Sequence, residues 1–219
     1  MSFAAVAAYV WLGQALLGMF PWNVDRDIDA MVRTGTVAYD LLRPIDAYAH
    51  WYARAFAWRV ASPALRAPPL VLVTAGLLPL LGLGAWALGP PPSWAAAGAW
   101  LAAQAVALAL SAAITTALNI SLVWTISGQG VRMLVPHLVT VLSGMIVPLP
   151  ILPPALQRVL LALPFAYLID VPYRLFSGDI PASALPGFLA AGLAWTALII
   201  GLGRLMMRRA TRRLVVQGG

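Results

Sequence analysis

Hydrophobic and polar positions divide this chain into long apolar runs around a single charged island. Residues 2–20 carry no charge, and no residue between Arg66 and Arg132 does either. A charge-free run of that length exceeds one buried core helix and fits two membrane crossings of about 20 residues each. The pattern predicts five spanning segments, near 2–20, 70–88, 94–118, 131–147 and 183–203. They should be helices, because a helix satisfies its own backbone groups in lipid and the alternation expected of a membrane barrel strand is missing. Residues 148–182 hold too many prolines for a plain crossing. We read them as a re-entrant or outward-facing helical hairpin, with a short helix near 155–163. The expected fold is all-α: one polytopic membrane domain over 1–219. A cleaved signal peptide is the alternative for 2–20, but it lacks a basic start and its apolar run is too long.

The island spans 22–66 and holds Asp25, Asp27, Asp29, Asp40 and Asp46 with six arginines. Its three leading acids suit a helix start, Arg33 suits a helix end, and Gly35 is a natural stop. Ile28, Met31 and Val32 form an apolar i, i+3, i+4 stripe. Thr36 is placed to cap a second short turn, 37–42, which Pro44 ends. A further helix is expected at 46–59, lying in the membrane interface. Tyr48, Trp51, Tyr52, Ala55 and Arg59 share one side of it, and Asp46, His50 and Arg54 another. Pro63, Pro68 and Pro69 are expected to break the chain before the next span. The island reads either as a solvated loop or as a docking element for a cytoplasmic subunit, with Ile28, Met31 and Leu41 as apolar knobs.

Composition sharpens this picture. The chain is 62% hydrophobic and 10% charged, against roughly 45–50% and 25% for soluble proteins. Every base is arginine, every acid is aspartate, and cysteine is absent. Without lysine there is no GxxxxGK[ST] phosphate loop and no Schiff base. Without cysteine there is no thiol chemistry. The net charge of +7 reads as a topology signal rather than as a nucleic-acid footprint. Six arginines lie in the island and five in the tail (Arg204, Arg208, Arg209, Arg212 and Arg213), whereas 89–94 has none and 148–186 has two. Island and tail are therefore expected in the cytoplasm, and the amino terminus of the chain as given outside. The tail is a stop-transfer anchor that also suits anionic lipid headgroups.

Catalytic groups are sparse. His50 and His137 are far apart, and each reads better as a structural histidine than as a metal ligand. Ser127 and Ser143 precede glycines, but His137 lies six residues before Ser143, a poor helical spacing for a serine–base pair. Asp170 falls in the outward segment. A polar stripe, Gln104, Ser111, Thr115 and Asn119, runs along the third span. It suits hydrogen bonds between helices, or a candidate substrate path. Gly98 with Ala102, and Gly187 with Ala191, read as close-packing pairs. The rivals to a transport role are a membrane-embedded enzyme built on His137 or Asp170, and a membrane anchor or sensor.

The run IDAMVRTGTVAYDLLRPIDAYAHWYARAFAWR resembles the signature of one branch of the type 2 ATP-binding-cassette permeases, the multidrug- and viologen-exporter-like branch. A later pattern of that branch is similar to Leu142-Ser143-Gly144, Pro148, Pro153, Leu163-Pro164-Phe165, Asp170, Pro172 and Gly178, and the ending at 212–219 also resembles it. The resemblance implies an exporter's membrane subunit that binds no cofactor itself, with ATP and magnesium on a partner ATPase. It implies two kinds of partner: a cytoplasmic ATP-binding subunit and a second permease chain, the same or related. It places ATPase coupling at Asp27, Ile28, Met31, Arg33, Gly35, Leu41, Leu42, Arg43 and Pro44, and a pair of short helices before the last span. Such permeases usually have six spans, and this chain begins at what matches the second, so the resemblance implies a missing first helix.

Overall fold

The computed structural model describes residues 1–41, 43–124 and 129–213, whose regular structure is helical, with no strand among them. Helix α1, Phe3–Ala15, is capped by Ser2, whose hydroxyl accepts the Ala5 N–H. The island folds as α2, Arg26–Thr34, and α3, Val37–Leu41. Asp25 caps α2 by accepting the Asp27 and Ile28 N–H groups, and Gly35 closes it at φ 75°. These are the start and stop that the acid-first, glycine-last order predicts. The Thr36 hydroxyl lies 2.8 Å from that of Thr34. Leu42 lies outside the described residues.

Helix α4, Ala47–Val71, corrects the expected interfacial helix and the proline break. It runs through Pro63, Pro68 and Pro69, passes into a π-helical stretch, Leu72–Leu77, and ends in α5, Leu78–Leu80. Each proline removes one backbone donor, yet the helix continues past all three, as proline-containing membrane helices do. The Leu72 N–H is shared between the carbonyls of Pro68 and Pro69. The Thr74 hydroxyl donates to the Leu70 carbonyl at 2.8 Å. The Thr74 carbonyl accepts the Leu88 N–H at 3.1 Å, so the chain after Leu80 folds back along the rod instead of extending the span to 88. Of the side that carries Tyr48, Trp51, Tyr52, Ala55 and Arg59, all but the half-buried Tyr52 are buried against the rest of the chain.

Next come α6, Trp94–Trp124, α7, Gln129–Leu142, α8, Pro154–Ala162, α9, Asp170–Ser177, and α10, Leu185–Arg213. Among the described residues three helices are long and apolar enough to cross a membrane, Ala47–Leu80, Trp94–Val123 and Ala182–Thr211. Helices α1 and α7, at 13 and 14 residues, fall short of the ~20 residues a crossing needs. Helix α6 is central: its apolar window is mostly buried, whereas those of α4–α5 and α10 are largely open. The close approaches in this chain are not the pairs read from sequence. A Cβ on Gly98 or Gly187 would meet nothing, while one on Gly192 would come within 2.8 Å of Val106 and one on Gly203 within 2.6 Å of Tyr48.

At the end of the bundle away from the island, α8 and α9 form the pair of short helices expected before the last span. Asp170 is its hub. The side chain is fully buried, accepts the Leu149 N–H at 3.0 Å, pairs with Arg174 at 3.2 Å and lies 3.4 Å from the Tyr9 hydroxyl. Burial pushes its carboxyl above the usual aspartate range, against the opposing pull of Arg174 and of these hydrogen bonds. Tyr9 also donates to the Gly144 carbonyl at 2.9 Å, and Tyr173 to that of Leu12 at 3.3 Å. These contacts tie the hairpin to α1.

Candidate functional site

The island end of the bundle joins three helix termini through one small core. Ile28 and Val37 from the α2–α3 hairpin pack with Tyr48 and Trp51 of α4, Ile120 of α6 and Met207 of α10. Polar contacts reinforce the seat. Trp51 Nε1 donates to Asp40 at 2.9 Å, and the Asp25 N–H donates to Asn119 Oδ1 at 2.8 Å. Arg54 holds Asp25 through two hydrogen bonds and Asp27 through a third. Arg204 of α10 pairs with Asp46 at 3.9 Å and stands over the Tyr48 ring. The island and the start of the arginine tail therefore occupy one end of the molecule, the juxtaposition expected from counting arginines. Residues 214–219 lie outside the described chain.

The coupling residues named from sequence separate into two sets. Ile28 is 1% exposed and faces its own bundle, and Met31 packs partly against the same core. Ile28 is thus covered by its own bundle rather than free as an outer knob, and Met31 and Val32 pack partly beside it in the seat of the hairpin. The i, i+3, i+4 spacing marks a buried face without saying whose surface covers it. Asp27, Arg33, Gly35, Arg43 and Pro44 lie on the exposed side. Tyr39, which sequence reading passed over, stands 76% exposed on α3. Leu41 closes α3.

Gly35 holds the hairpin together through its left-handed backbone, with open space where a Cβ would sit. Gly35→Ala should therefore cost about 1–2 kcal/mol from backbone strain alone. A melting curve of the purified chain checks this; an unchanged midpoint would mean the turn tolerates a side chain.

The polar stripe of α6 pins the chain between α1 and α2. Ser111 donates to the Met19 carbonyl, Gln104 Nε2 contacts Met19 Sδ at 3.3 Å, and Asn119 takes the Asp25 N–H. Thr115 accepts from Arg59 at 2.8 Å and donates to the Ser111 carbonyl. Two members of the stripe, Thr115 and Asn119, also line a cavity of about 720 Å³ between the 23–27 segment and α4. Gln104 and Ser111 do not reach it.

Ser143 and His137 lie in different surroundings. Ser143 is fully buried with its hydroxyl unpartnered, while His137 lies on the exposed side of α7. Ser127 lies outside the described residues. Among the described residues no three histidines or acids are grouped to hold a metal.

Comparison with known proteins agrees with the helical membrane architecture. A family model described as ABC-2 family transporter protein matches residues 2–218. No curated protein and no solved structure matches the chain. The family is a transporter membrane domain rather than a catalytic one, and its members generally work with a cytoplasmic ATP-binding subunit. With 2–218 matched and three apolar helices of crossing length, this chain belongs to the ABC-2 transporter family.

Proposed function

We propose that the chain is the permease subunit of an exporter in the cell membrane, moving a lipophilic or amphiphilic small molecule outward. ATP and magnesium bind a separate cytoplasmic ATPase, and a second permease chain completes the conduit. The α2–α3 hairpin is the element on which the ATPase pushes. The observation that carries this reading is the core of Ile28, Val37, Trp51, Ile120 and Met207. One small hairpin rests on the ends of all three long helices, so a displacement of the hairpin is passed to each of them. Its outer face presents Tyr39, Arg33 and Arg43, and aromatic and arginine side chains are the residue types that anchor interfaces. The open apolar faces of α4–α5 and α10 suit lipid and the second permease chain. The substrate path runs past Thr115 and Asn119, with Gln104 and Ser111 holding its wall.

Tyr39→Ala is the direct test, because the side chain makes no core contact whose loss would unfold the chain. The expected result is a fall of about tenfold or more in affinity for the ATPase with an unchanged melting temperature. Ile28→Asp and Met31→Asp do not serve, since they would place charge in the seat itself. Full ATPase binding and full export by Tyr39→Ala combined with Arg33→Asp would refute the docking role.

A further inference from the structure

Arg59 is a buried cation without a counter-ion. It is 5% exposed, and among the described residues no carboxylate lies within ion-pair range of it. Of the five N–H donors a guanidinium carries, one contacts the Gly18 carbonyl at 3.3 Å and one the Thr115 hydroxyl at 2.8 Å, while the Nε–H has no partner. Burying a charge in this way is costly unless something neutralises it.

Arg59 is one of the residues lining the 720 Å³ cavity described above, a volume in the range of small-ligand sites. Two acids share that cavity, Asp25 and Asp27, and both are already held by Arg54. Arg26 lines it as well, exposed and without an ion pair among the described residues. Three arginines against two aspartates leave the lining with one positive charge in excess. Its remaining wall is mixed. Thr115 and Asn119 are polar, and Val24, Ala55 and Trp58 are apolar, with Trp58 standing 68% exposed. Arg59 lies about 18 Å along α4 from Ala47, so the cation lies well inside the long helix while Arg26 and Trp58 stand exposed.

We propose that this cavity is a phosphate-binding site, with Arg59 as the principal ligand and Arg26 assisting, and that the phosphate is the headgroup of an anionic amphiphile whose acyl part lies along Trp58 and the alanines of α4. A guanidinium offers a planar fork of donors that matches phosphate oxygens. The cavity shares Thr115 and Asn119 with the proposed substrate path, but the inference does not depend on how the hairpin meets an ATPase.

The test uses the full chain in an uncharged detergent, with no ATPase present, titrated with phosphatidylglycerol, phosphatidylcholine or inorganic phosphate. Melting temperature is the readout. Phosphatidylglycerol should raise it by about 5 °C or more at hundredfold excess over its dissociation constant, with phosphatidylcholine much weaker. Arg59→Gln should remove that shift. Ala61→Phe, an exposed position on the cavity wall, should remove it by filling the space with every charge in place. A shift of that kind produced by inorganic phosphate alone would uphold the phosphate site and identify its source as soluble. Equal shifts with phosphatidylglycerol and phosphatidylcholine, or no shift with any of the three, would overturn the proposal. So would an Arg59→Gln chain that responds like the parent. If Arg59→Gln does not fold, Ala61→Phe decides: an undiminished response there places the ligand elsewhere and sinks the site.

Discussion

Replacing Asp170 with alanine should unseat the α8–α9 hairpin and cost about 3–5 kcal/mol. The loss has three parts. The Leu149 N–H becomes a buried donor with no acceptor, Arg174 keeps only Asp179, and the Tyr9 hydroxyl loses one of its two oxygen neighbours. An unsatisfied buried donor alone costs about 1–3 kcal/mol. Asp170→Asn separates charge from hydrogen bonding, because the amide oxygen still accepts from Leu149 at nearly the same volume. Burial already disfavours the carboxylate at this position, so the asparagine variant should lose clearly less than the alanine variant. Melting curves of the two purified chains make the comparison, and limited proteolysis of 145–180 localises the damage. Equal losses would mean that the ion pair, not the hydrogen-bond network, holds the hairpin.

Trp51→Ala should have the second large effect, at the opposite end of the molecule. Trp51 is 1% exposed in the core where the hairpin meets the long helices, and it is the hydrogen-bond partner of Asp40 on α3. Removing a buried indole costs about 3–5 kcal/mol, and here it also cuts the link between α3 and α4. The expected phenotype is a chain that still inserts in the membrane but neither retains its ATPase nor exports. Trp51→Phe keeps most of the packing and loses only the bond to Asp40, for about 1 kcal/mol, and should retain most ATPase binding. The functional gap between the two variants measures how far coupling depends on packing rather than on that one bond. If Trp51→Ala melted lower yet exported normally, the seat would be structural only.

These two sites show how unevenly the fold could be read in advance. The caps of α2 were legible because Asp25 and Gly35 act on backbone groups one turn away. The short helix α8 was legible for the same local reason, since Pro153 and Pro164 bracket it, whereas its companion α9 was expected only from the family resemblance. The proline run in α4 misled. A helix within a membrane tolerates such lost donors and here runs on through Val71, and propensity alone carries no sign of that. The stripe at Ile28 was recognised as a buried face but assigned to a partner. Asp170 was placed in the outward segment, and nothing near it in sequence marked it as a hub whose partners lie at positions 9, 149 and 174.

The amino-acid order by itself determined that this is an all-helical membrane chain with one charged island and an arginine-rich end. Those properties follow from hydropathy, arginine placement and caps, each of which acts over a few residues. Tertiary structure alone decided which face of the hairpin is seat and which is surface, and that Asp25 pairs with Arg54 across 29 positions. It also decided that Arg59 is left beside a cavity with no acid of the described residues within ion-pair range. Each of these depends on what the neighbouring helices bring to the same place, and a buried charge or apolar stripe does not name its partner until the chain has closed around it.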